Sequence, residues 1–274
     1  MNQRGGILGF FIVENHFYNA IPDYRELRSN NSIFSYKYPL DLNVEEQLVL
    51  LRSFKQFDGL LEKEYTILQG QYNFKNGSFG HDDSYLYFSM VNTFKPRKII
   101  EIGSGFSTQV AVLAREHGKL ELDITCIEPF PRRELKKIDS LVDLKVQKLE
   151  SIDVEFFEQL ECNDILFIDS SHIIKTKNDV VRIYLEILPR LRKGVIIHVH
   201  DISLPYEIHP AIFRAGYSWN EQYLVQALML NNKRYMDLLN GYYLSKDYFQ
   251  DFKKVFHNSV RGDTGGSLWL QIRE

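Results

Sequence analysis

Residues 98–108 read KIIEIGSGFST, and this run decides the fold of the chain. An apolar strand over 98–102 is followed by a glycine-rich turn and then by a helix that begins near Ser107. Gly103 and Gly105 carry no side chains, so the backbone there can approach a ligand while the helix directs its N–H groups at it. A third glycine of the dinucleotide fingerprint is absent, and no lysine follows as in a phosphate-binding P-loop. The run therefore predicts a ligand-binding loop between a strand and a helix.

Downstream of this run, short apolar segments alternate with amphipathic ones. The apolar segments predict strands, and the amphipathic segments predict helices of the length that joins parallel strands. The chain is therefore expected to form an α/β fold, a Rossmann-like sheet of seven strands with helices on both faces. The predicted strands are 98–102, 122–127, 144–146, 165–168, 195–199, 234–238 and 267–272, and the predicted helices are 107–117, 133–140, 154–159, 178–190 and one from about residue 220.

The segment before this alternation is expected to cover the sheet. Residues 44–63 and 84–94 predict helices, whereas the aromatic stretch 9–38 has no clean period and predicts an irregular cover. We therefore expect an N-terminal helical and aromatic extension over residues 1–80 and a ligand-binding domain over residues 81–274.

The composition excludes several classes of protein. The chain has 274 residues and a net charge of −3, so it lacks the excess positive charge that binds duplex nucleic acid or an anionic membrane. Its longest N-terminal apolar run, residues 7–13, is far shorter than the roughly 20 residues that span a bilayer. Two cysteines, Cys126 and Cys162, do not make a disulfide framework. We therefore expect a cytoplasmic protein with no nucleic-acid or membrane partner.

An acidic residue ends the second predicted strand. Glu128 lies 23 residues after Gly105, where a carboxylate can accept hydrogen bonds from both ribose hydroxyls of an adenosine ligand. Pro129 then ends the strand. The glycine loop and this acid together favour a ligand that contains adenosine.

The sequence resembles the class I methyltransferases that use S-adenosylmethionine (SAM). The resemblance rests on EIGSG at 101–105, on IEP at 127–129, and on the later segments LFIDSSH and GVIIHVHDI. Within that superfamily the chain is most similar to bacterial small-molecule methyltransferases whose fourth and fifth strands read IDSSH and HIHD. The segments HFYNAIPD at 16–23, WNEQYL at 219–224 and GGSLWL at 265–270 extend the resemblance to nearly the whole chain.

This resemblance implies a set of cofactor-binding residues. Glu101, Gly103 and Gly105 would line the methionine end of SAM, and Glu128 would hold its ribose. Glu150 follows the third strand, near the position that meets the adenine. The full expected set is Glu101, Gly103, Gly105, Ser107, Glu128, Glu150 and Asp169.

Polar residues follow the next two predicted strands. Asp169 and His172 come after the fourth strand, and His200 and Asp201 come after the fifth. Because ligands of open α/β sheets bind outside the carboxyl ends of the strands, these side chains are expected to converge beside the methyl group of SAM. We expect Asp169, His172 and His200 to be the catalytic residues.

Two designs for methyl transfer to a hydroxyl fit these residues. In the first, His172 or His200 removes the hydroxyl proton as a general base. In the second, Asp169, His200 and Asp201 bind a divalent cation that lowers the pKa of the hydroxyl and orients the acceptor. The second design resembles the metal-dependent O-methyltransferases, although those enzymes have a carboxylate at the position of His200. A histidine there shifts the metal preference from Mg²⁺ toward Mn²⁺, Fe²⁺ or Zn²⁺.

Aromatic residues are concentrated at the two ends of the chain. Residues 1–94 hold eighteen and residues 201–274 hold thirteen, against six in the middle segment, so the flanks are expected to cover the sheet edge and shape the acceptor pocket. In the second flank, Glu221 and Tyr223 are candidates to face the acceptor.

The sequence thus predicts a SAM-dependent methyltransferase that acts on a hydroxyl of a small molecule, a sugar or a secondary metabolite, in natural product or polysaccharide biosynthesis. An amine or protein acceptor is an alternative, and so is a non-catalytic SAM-binding protein. A homo-oligomer is compatible with each of these functions.

Overall fold

A seven-stranded sheet forms the centre of the protein. The computed structural model describes residues 16, 18–19, 21–29, 37–261 and 266–273. Two short strands, β1 (Glu64–Tyr65) and β2 (Gly70–Gln71), pair antiparallel in a small separate sheet. The main sheet consists of β3 (Lys98–Ile102), β4 (Asp123–Ile127), β5 (Asp143–Lys145), β6 (Ile165–Ile168), β7 (Ile196–Val199), β8 (Tyr235–Asn240) and β9 (Leu268–Ile272).

The order of the strands creates one natural crevice. The order is β5–β4–β3–β6–β7–β9–β8, with β3 to β7 parallel and β9 antiparallel to both of its neighbours. The chain runs outward from β3 through β4 to β5 and then returns to the other side of β3 to form β6 and β7. The order therefore reverses between β3 and β6, and a ligand crevice opens outside their carboxyl ends. This topology confirms the predicted α/β fold with a seven-stranded sheet.

Helices lie on both faces of the sheet. In the described part of the chain, none of them is long and apolar enough to cross a membrane. The helices are α1 (Tyr24–Ser29), α2 (Val44–Ser53), α3 (His81–Phe94), α4 (Phe106–Gly118), α5 (Arg133–Lys136), α6 (Asp179–Arg182), α7 (Pro210–Arg214), α8 (Glu221–Met229), α9 (Gly241–Asp247) and α10 (Phe249–Val255).

Alternate residues of the strands pack against two separate cores. Ile99 and Phe167 belong to the core that contains α3 and α4, whereas Ile100 and Leu166 belong to the core on the other face, with α6. This period of two is the pleat of a sheet that is buried on both faces. The first core also includes Leu48, Leu51, Phe54, Phe57, Leu61, Tyr72 and Phe79 from the segment before α3. The extension and the sheet therefore share one core, and the predicted boundary between residues 80 and 81 stays a prediction.

Several helix boundaries differ from the sequence prediction. The helix expected over 44–63 ends as a 3₁₀ turn at Phe54–Phe57, and Gly59 then takes a left-handed φ of +75°. The helix expected over 84–94 begins earlier, at His81. Residues 133–140, 154–159 and 178–190 contain short α-helical, 3₁₀ or π segments in place of continuous α-helices. Within the stretch 9–38, expected to be an irregular cover, Tyr24–Ser29 form the helix α1, and about half of the stretch lies outside the described residues.

The buried carboxyl group of Asp237 on β8 allows the packing of α2 against the sheet to be tested. Asp237 is only 5% exposed, and its Oδ2 accepts a hydrogen bond of 2.6 Å from Gln47 Nε2. Burial raises the pKa of Asp237 to about 7. The folded state thus binds this proton more tightly than the unfolded chain does, so stability from this group is present at low pH and is lost as pH rises from about 4 to 7.

Asp237→Asn is expected to raise the free energy of unfolding at pH 8 by about 2 kcal/mol, because it removes a buried charge and keeps an acceptor for Gln47. This increase in the free energy of unfolding should vanish at pH 4. Thermal unfolding at both pH values measures it, and Asp143→Asn, at an exposed residue of β5, is the control. An equal shift at both pH values would contradict the expected titration.

Candidate active site

A cleft of about 580 Å³ opens at the carboxyl ends of β3, β4, β6 and β7. It lies where the strand order reverses, which is the place that the topology predicts for a ligand. Most of its lining is polar or glycine backbone, from Gly103–Ser107, Glu128, Arg132, Glu134, Asp169, Ser170, His172, His200 and Asp201. The remaining lining residues are Gly77–Phe79, Ile212, Tyr217 and Trp219.

The loop after β3 passes very close to the loop after β6. Gly103 has a φ of +78°, and a Cβ atom built on it would lie 2.0 Å from the backbone oxygen of Asp169. Gly103 N donates to Ile127 O at 3.0 Å, and Asp169 N donates to Ile102 O at 2.8 Å. Only glycine fits at residue 103, because both the left-handed backbone and the close approach exclude a side chain. At Gly105, in contrast, a Cβ would meet no atom within 4 Å.

Glu101 lies behind the loop and does not line the cleft. Its carboxylate is fully buried and accepts hydrogen bonds from Tyr87 Oη at 2.9 Å and from Thr108 Oγ1 at 2.5 Å. Thr108 Oγ1 in turn accepts from Gly105 N at 3.0 Å. Burial raises the pKa of Glu101 to about 7. In the structure this residue holds the loop through Thr108, and the contact with SAM that the resemblance implies stays a prediction.

Glu128 does line the cleft, at the end of β4. Its Oε2 accepts from Ser104 N at 3.3 Å, and its Oε1 accepts from Phe130 N at 2.7 Å. These two amides orient the carboxylate and leave a further lone pair on each oxygen for a ligand. Ser107 also lines the cleft, whereas Glu150 is exposed on a 3₁₀ turn outside it.

Three side chains at the ends of β6 and β7 converge at one point. His172 Nε2 lies 3.2 Å from Asp169 Oδ1 and 3.7 Å from Asp201 Oδ2. One donor atom from each of these residues lies within 4.8 Å of the others, a spacing that suits a divalent cation. The sequence prediction placed His200 in this set, but the structure brings His172 there instead. His172 has a left-handed φ of +59°, and its backbone oxygen accepts from Asn220 N and Glu221 N.

His172 is held on both sides by carboxylates. Its Nδ1 lies 2.9 Å from Glu221 Oε2, on the side away from Asp169. Burial acts to lower the pKa of His172, but the hydrogen bonds to Asp169 and Glu221 raise it to about 10. Both ring nitrogens of His172 are engaged by carboxylates, which argues against His172 as a ready general base. For Asp169, burial acts to raise the pKa, but the hydrogen bond from His172 outweighs it and lowers the pKa.

His200 and His198 lie deeper in the sheet. His200 is 2% exposed, and its Nε2 is 3.9 Å from Asp201 Oδ1. Burial acts to lower the pKa of His200, but the charges of nearby Asp201 and Asp169 raise it. His198 stacks against Phe167, with ring centroids 4.1 Å apart, and burial lowers its pKa well below the usual range. Among the described residues its ring nitrogens have no hydrogen-bond partner.

The WNEQYL segment contributes differently from what the sequence predicted. Trp219 lines the cleft and its ring centroid lies 4.3 Å from that of His172. Glu221 is buried behind His172, and Tyr223 Oη donates to Glu207 Oε1 at 2.9 Å, so neither residue lines the cleft. The role of Glu221 could not be recognised from the sequence because it lies 49 residues from His172.

The chain matches known methyltransferases. The sequence model of a family described as a methyltransferase domain matches residues 100–202, the stretch from β3 to just beyond β7. An uncharacterized protein of Archaeoglobus fulgidus is 32% identical over 171 residues, which cover 58% of this chain and 77% of that protein.

Solved methyltransferase structures are also similar, at low identity. The plantazolicin methyltransferase BpumL, in complex with a triazolic desmethylPZN analog and S-adenosylhomocysteine (SAH), gives a TM-score of 0.47 at 12% identity, covering 84% of this chain and 98% of that one. SAH-bound PaMTH1 of Podospora anserina gives a TM-score of 0.45 at 12% identity, covering 97% of this chain and 100% of that one. The family match over the stretch that contains the glycine loop, together with the sheet topology, shows that the chain contains a methyltransferase domain with the class I fold.

Proposed function

We propose that this protein transfers the methyl group of SAM to a hydroxyl of a small molecule, such as a sugar or a secondary metabolite, with the help of a divalent cation. The observation that carries the proposal is the convergence of Asp169, His172 and Asp201 in the same cleft as the glycine loop and Glu128. A methyl donor and an activated acceptor must meet at one point, and this cleft supplies groups for both.

The polar groups that line the cleft fit SAM. The carboxylate of Glu128 is oriented by two backbone amides and is free to accept from the ribose hydroxyls. Around Gly105 no atom lies within 4 Å of where a side chain would begin, so a ligand can approach that backbone. Glu128 and Asp169 line the same cleft, and the loop after β3 is in contact with the backbone of Asp169, so a ligand held by Glu128 lies in the cleft that Asp169 lines.

The three converging residues fit a divalent cation. Two carboxylates and one imidazole suit Mn²⁺, Fe²⁺ or Zn²⁺ as well as Mg²⁺. Asp169, His172 and Asp201 would hold the ion, which when bound lowers the pKa of an acceptor hydroxyl.

The reaction is an in-line displacement. The acceptor oxygen forms a bond to the methyl carbon, the bond from that carbon to sulfur breaks, and its electron pair stays on the sulfur, so that SAM becomes SAH. The hydroxyl proton leaves to the nearby carboxylates or to water. The chain's own residues position the acceptor, and Phe79, Ile212 and Trp219 offer it apolar surface within the cleft.

A methyl-transfer assay tests the proposal. The full chain is incubated with methyl-labelled SAM and a panel of sugars, phenols and amino sugars, with EDTA or with added Mn²⁺. We expect label on a hydroxyl acceptor, with loss of transfer in EDTA and recovery with Mn²⁺. Transfer to amines that is indifferent to EDTA would replace the proposal with N-methylation. SAH binding with no transfer to any acceptor would favour a non-catalytic SAM-binding protein.

Glu128→Ala is expected to weaken SAH binding by about 1–3 kcal/mol, the usual scale for the loss of hydrogen bonds to a charged group. Titration calorimetry measures the change. Glu186→Ala is the matched control, because Glu186 is exposed outside the cleft and its loss should leave SAH affinity unchanged. Unchanged affinity in Glu128→Ala would refute the ribose assignment, and weaker binding in Glu150→Ala would support the adenine contact that the resemblance implies.

A further inference from the structure

Helix α8 holds both the backbone and the ring of His172. Asn220 N and Glu221 N donate to the backbone oxygen of His172 at 2.9 and 3.1 Å. The carboxylate of Glu221, 1% exposed, lies 2.9 Å from Nδ1 of the ring. The same carboxylate oxygen accepts from Ser170 Oγ at 2.8 Å. These contacts fix the position of His172 from behind, on the side away from the cleft.

This arrangement maintains an unfavourable backbone conformation. His172 has a φ of +59°, a left-handed conformation that is unfavourable for a residue with a side chain. Non-glycine residues in this region persist where surrounding contacts over-determine them, and they are concentrated at functional sites. Here the conformation turns the ring so that Nε2, and not Nδ1, faces Asp169 and Asp201.

We propose that Glu221 is a positioning residue that holds the proton of His172 on Nδ1 and presents Nε2 as a cation ligand between Asp169 and Asp201. A histidine ligand needs its second nitrogen to donate, and a carboxylate behind it orients the ring and makes the ligating nitrogen more basic. Glu221 occupies that place, and Ser170 fixes the oxygen that it uses. This inference rests on the cation of the proposed function, not on the identity of the acceptor.

Mn²⁺ binding to the full chain, measured by calorimetry without SAM or acceptor, tests the inference. Glu221→Ala is expected to raise the dissociation constant for Mn²⁺ about 10- to 100-fold. Glu221→Gln should raise it less, about three- to tenfold, because its amide oxygen still accepts from Nδ1 but carries no charge. Glu207→Gln is the matched control: Glu207 is also a buried carboxylate, with hydrogen bonds from two tyrosines, and it lies outside the cleft. Its Mn²⁺ affinity should equal that of the unaltered protein.

A spectroscopic measurement gives a second readout that does not depend on a variant. In the Zn²⁺-loaded protein, ¹⁵N spectra of the histidine rings should show His172 protonated on Nδ1 and unprotonated on Nε2. A proton on Nε2, or Glu221 variants that bind Mn²⁺ as tightly as Glu207→Gln, would overturn the inference. If the unaltered protein binds no Mn²⁺, the inference fails together with the cation, whereas SAH binding and methyl transfer test the methyltransferase activity separately.

Discussion

Gly103→Ala is expected to lower the free energy of unfolding by at least about 3 kcal/mol and to abolish SAH binding. The new methyl group would lie 2.0 Å from the backbone oxygen of Asp169, so the loops after β3 and β6 would have to separate. The left-handed φ of +78° adds a further cost for any residue with a Cβ atom. Thermal and urea unfolding measure the loss of stability, and calorimetry measures SAH binding.

Gly105→Ala separates the loss of stability from the loss of SAH binding. Its Cβ would meet no atom within 4 Å, so the free energy of unfolding of this variant should lie within about 1 kcal/mol of that of the unaltered protein. If the cofactor approaches this backbone, its SAH affinity should nevertheless fall. Wild-type stability in Gly103→Ala would mean that the two loops are not in contact as described.

Asp201→Asn is expected to reduce methyl transfer by about 10²- to 10⁴-fold on the best acceptor found, while SAH affinity stays nearly unchanged. The substitution removes one of the two carboxylates that converge with His172 Nε2, and asparagine tolerates the φ of +59° at this residue. Crystals grown with Mn²⁺ should show an anomalous peak between Asp169 and Asp201 in the unaltered protein and none in the variant.

Asp251→Asn is the matched control for this prediction. Asp251 lies on α10, outside the cleft, and its carboxylate is within 3.6 Å of Arg52, so its loss should leave turnover unchanged. Full activity of Asp201→Asn, in a protein that shows no Mn²⁺ peak, would remove the cation from the mechanism and leave His200 as the remaining candidate for a general base.

The sheet was predictable because its signal is local. The strands at 98–102 and 165–168 have the predicted bounds, and the others differ from them by at most two residues at either end. Unbroken apolar runs are typical of strands that are buried on both faces, and here both cores require them. Helix ends were less predictable, since the 3₁₀ and π turns near 54–57 and 183–187 depend on packing that a local pattern does not encode.

The candidate site was predictable as a set of residues but not as a set of contacts. The topology brings Asp169, His172, His200 and Asp201 to one cleft, as their positions after neighbouring strands indicate. Which histidine meets the carboxylates depends on the backbone at His172 and on α8, whose Glu221 lies 49 residues further along the chain. Their roles in catalysis and cofactor binding stay predictions for the variants above.

The sequence by itself determined the sheet, the glycine loop and the family, because strand pattern, glycine spacing and the acid at Glu128 are properties of consecutive residues. Only the tertiary structure decided that Glu101 supports the loop from behind, that Gly103 touches the backbone of Asp169, and that Glu221 holds His172. Each of these contacts joins residues that are far apart in the chain or buried in its core. Their geometry follows from how the elements pack, and no local run of residues specifies it.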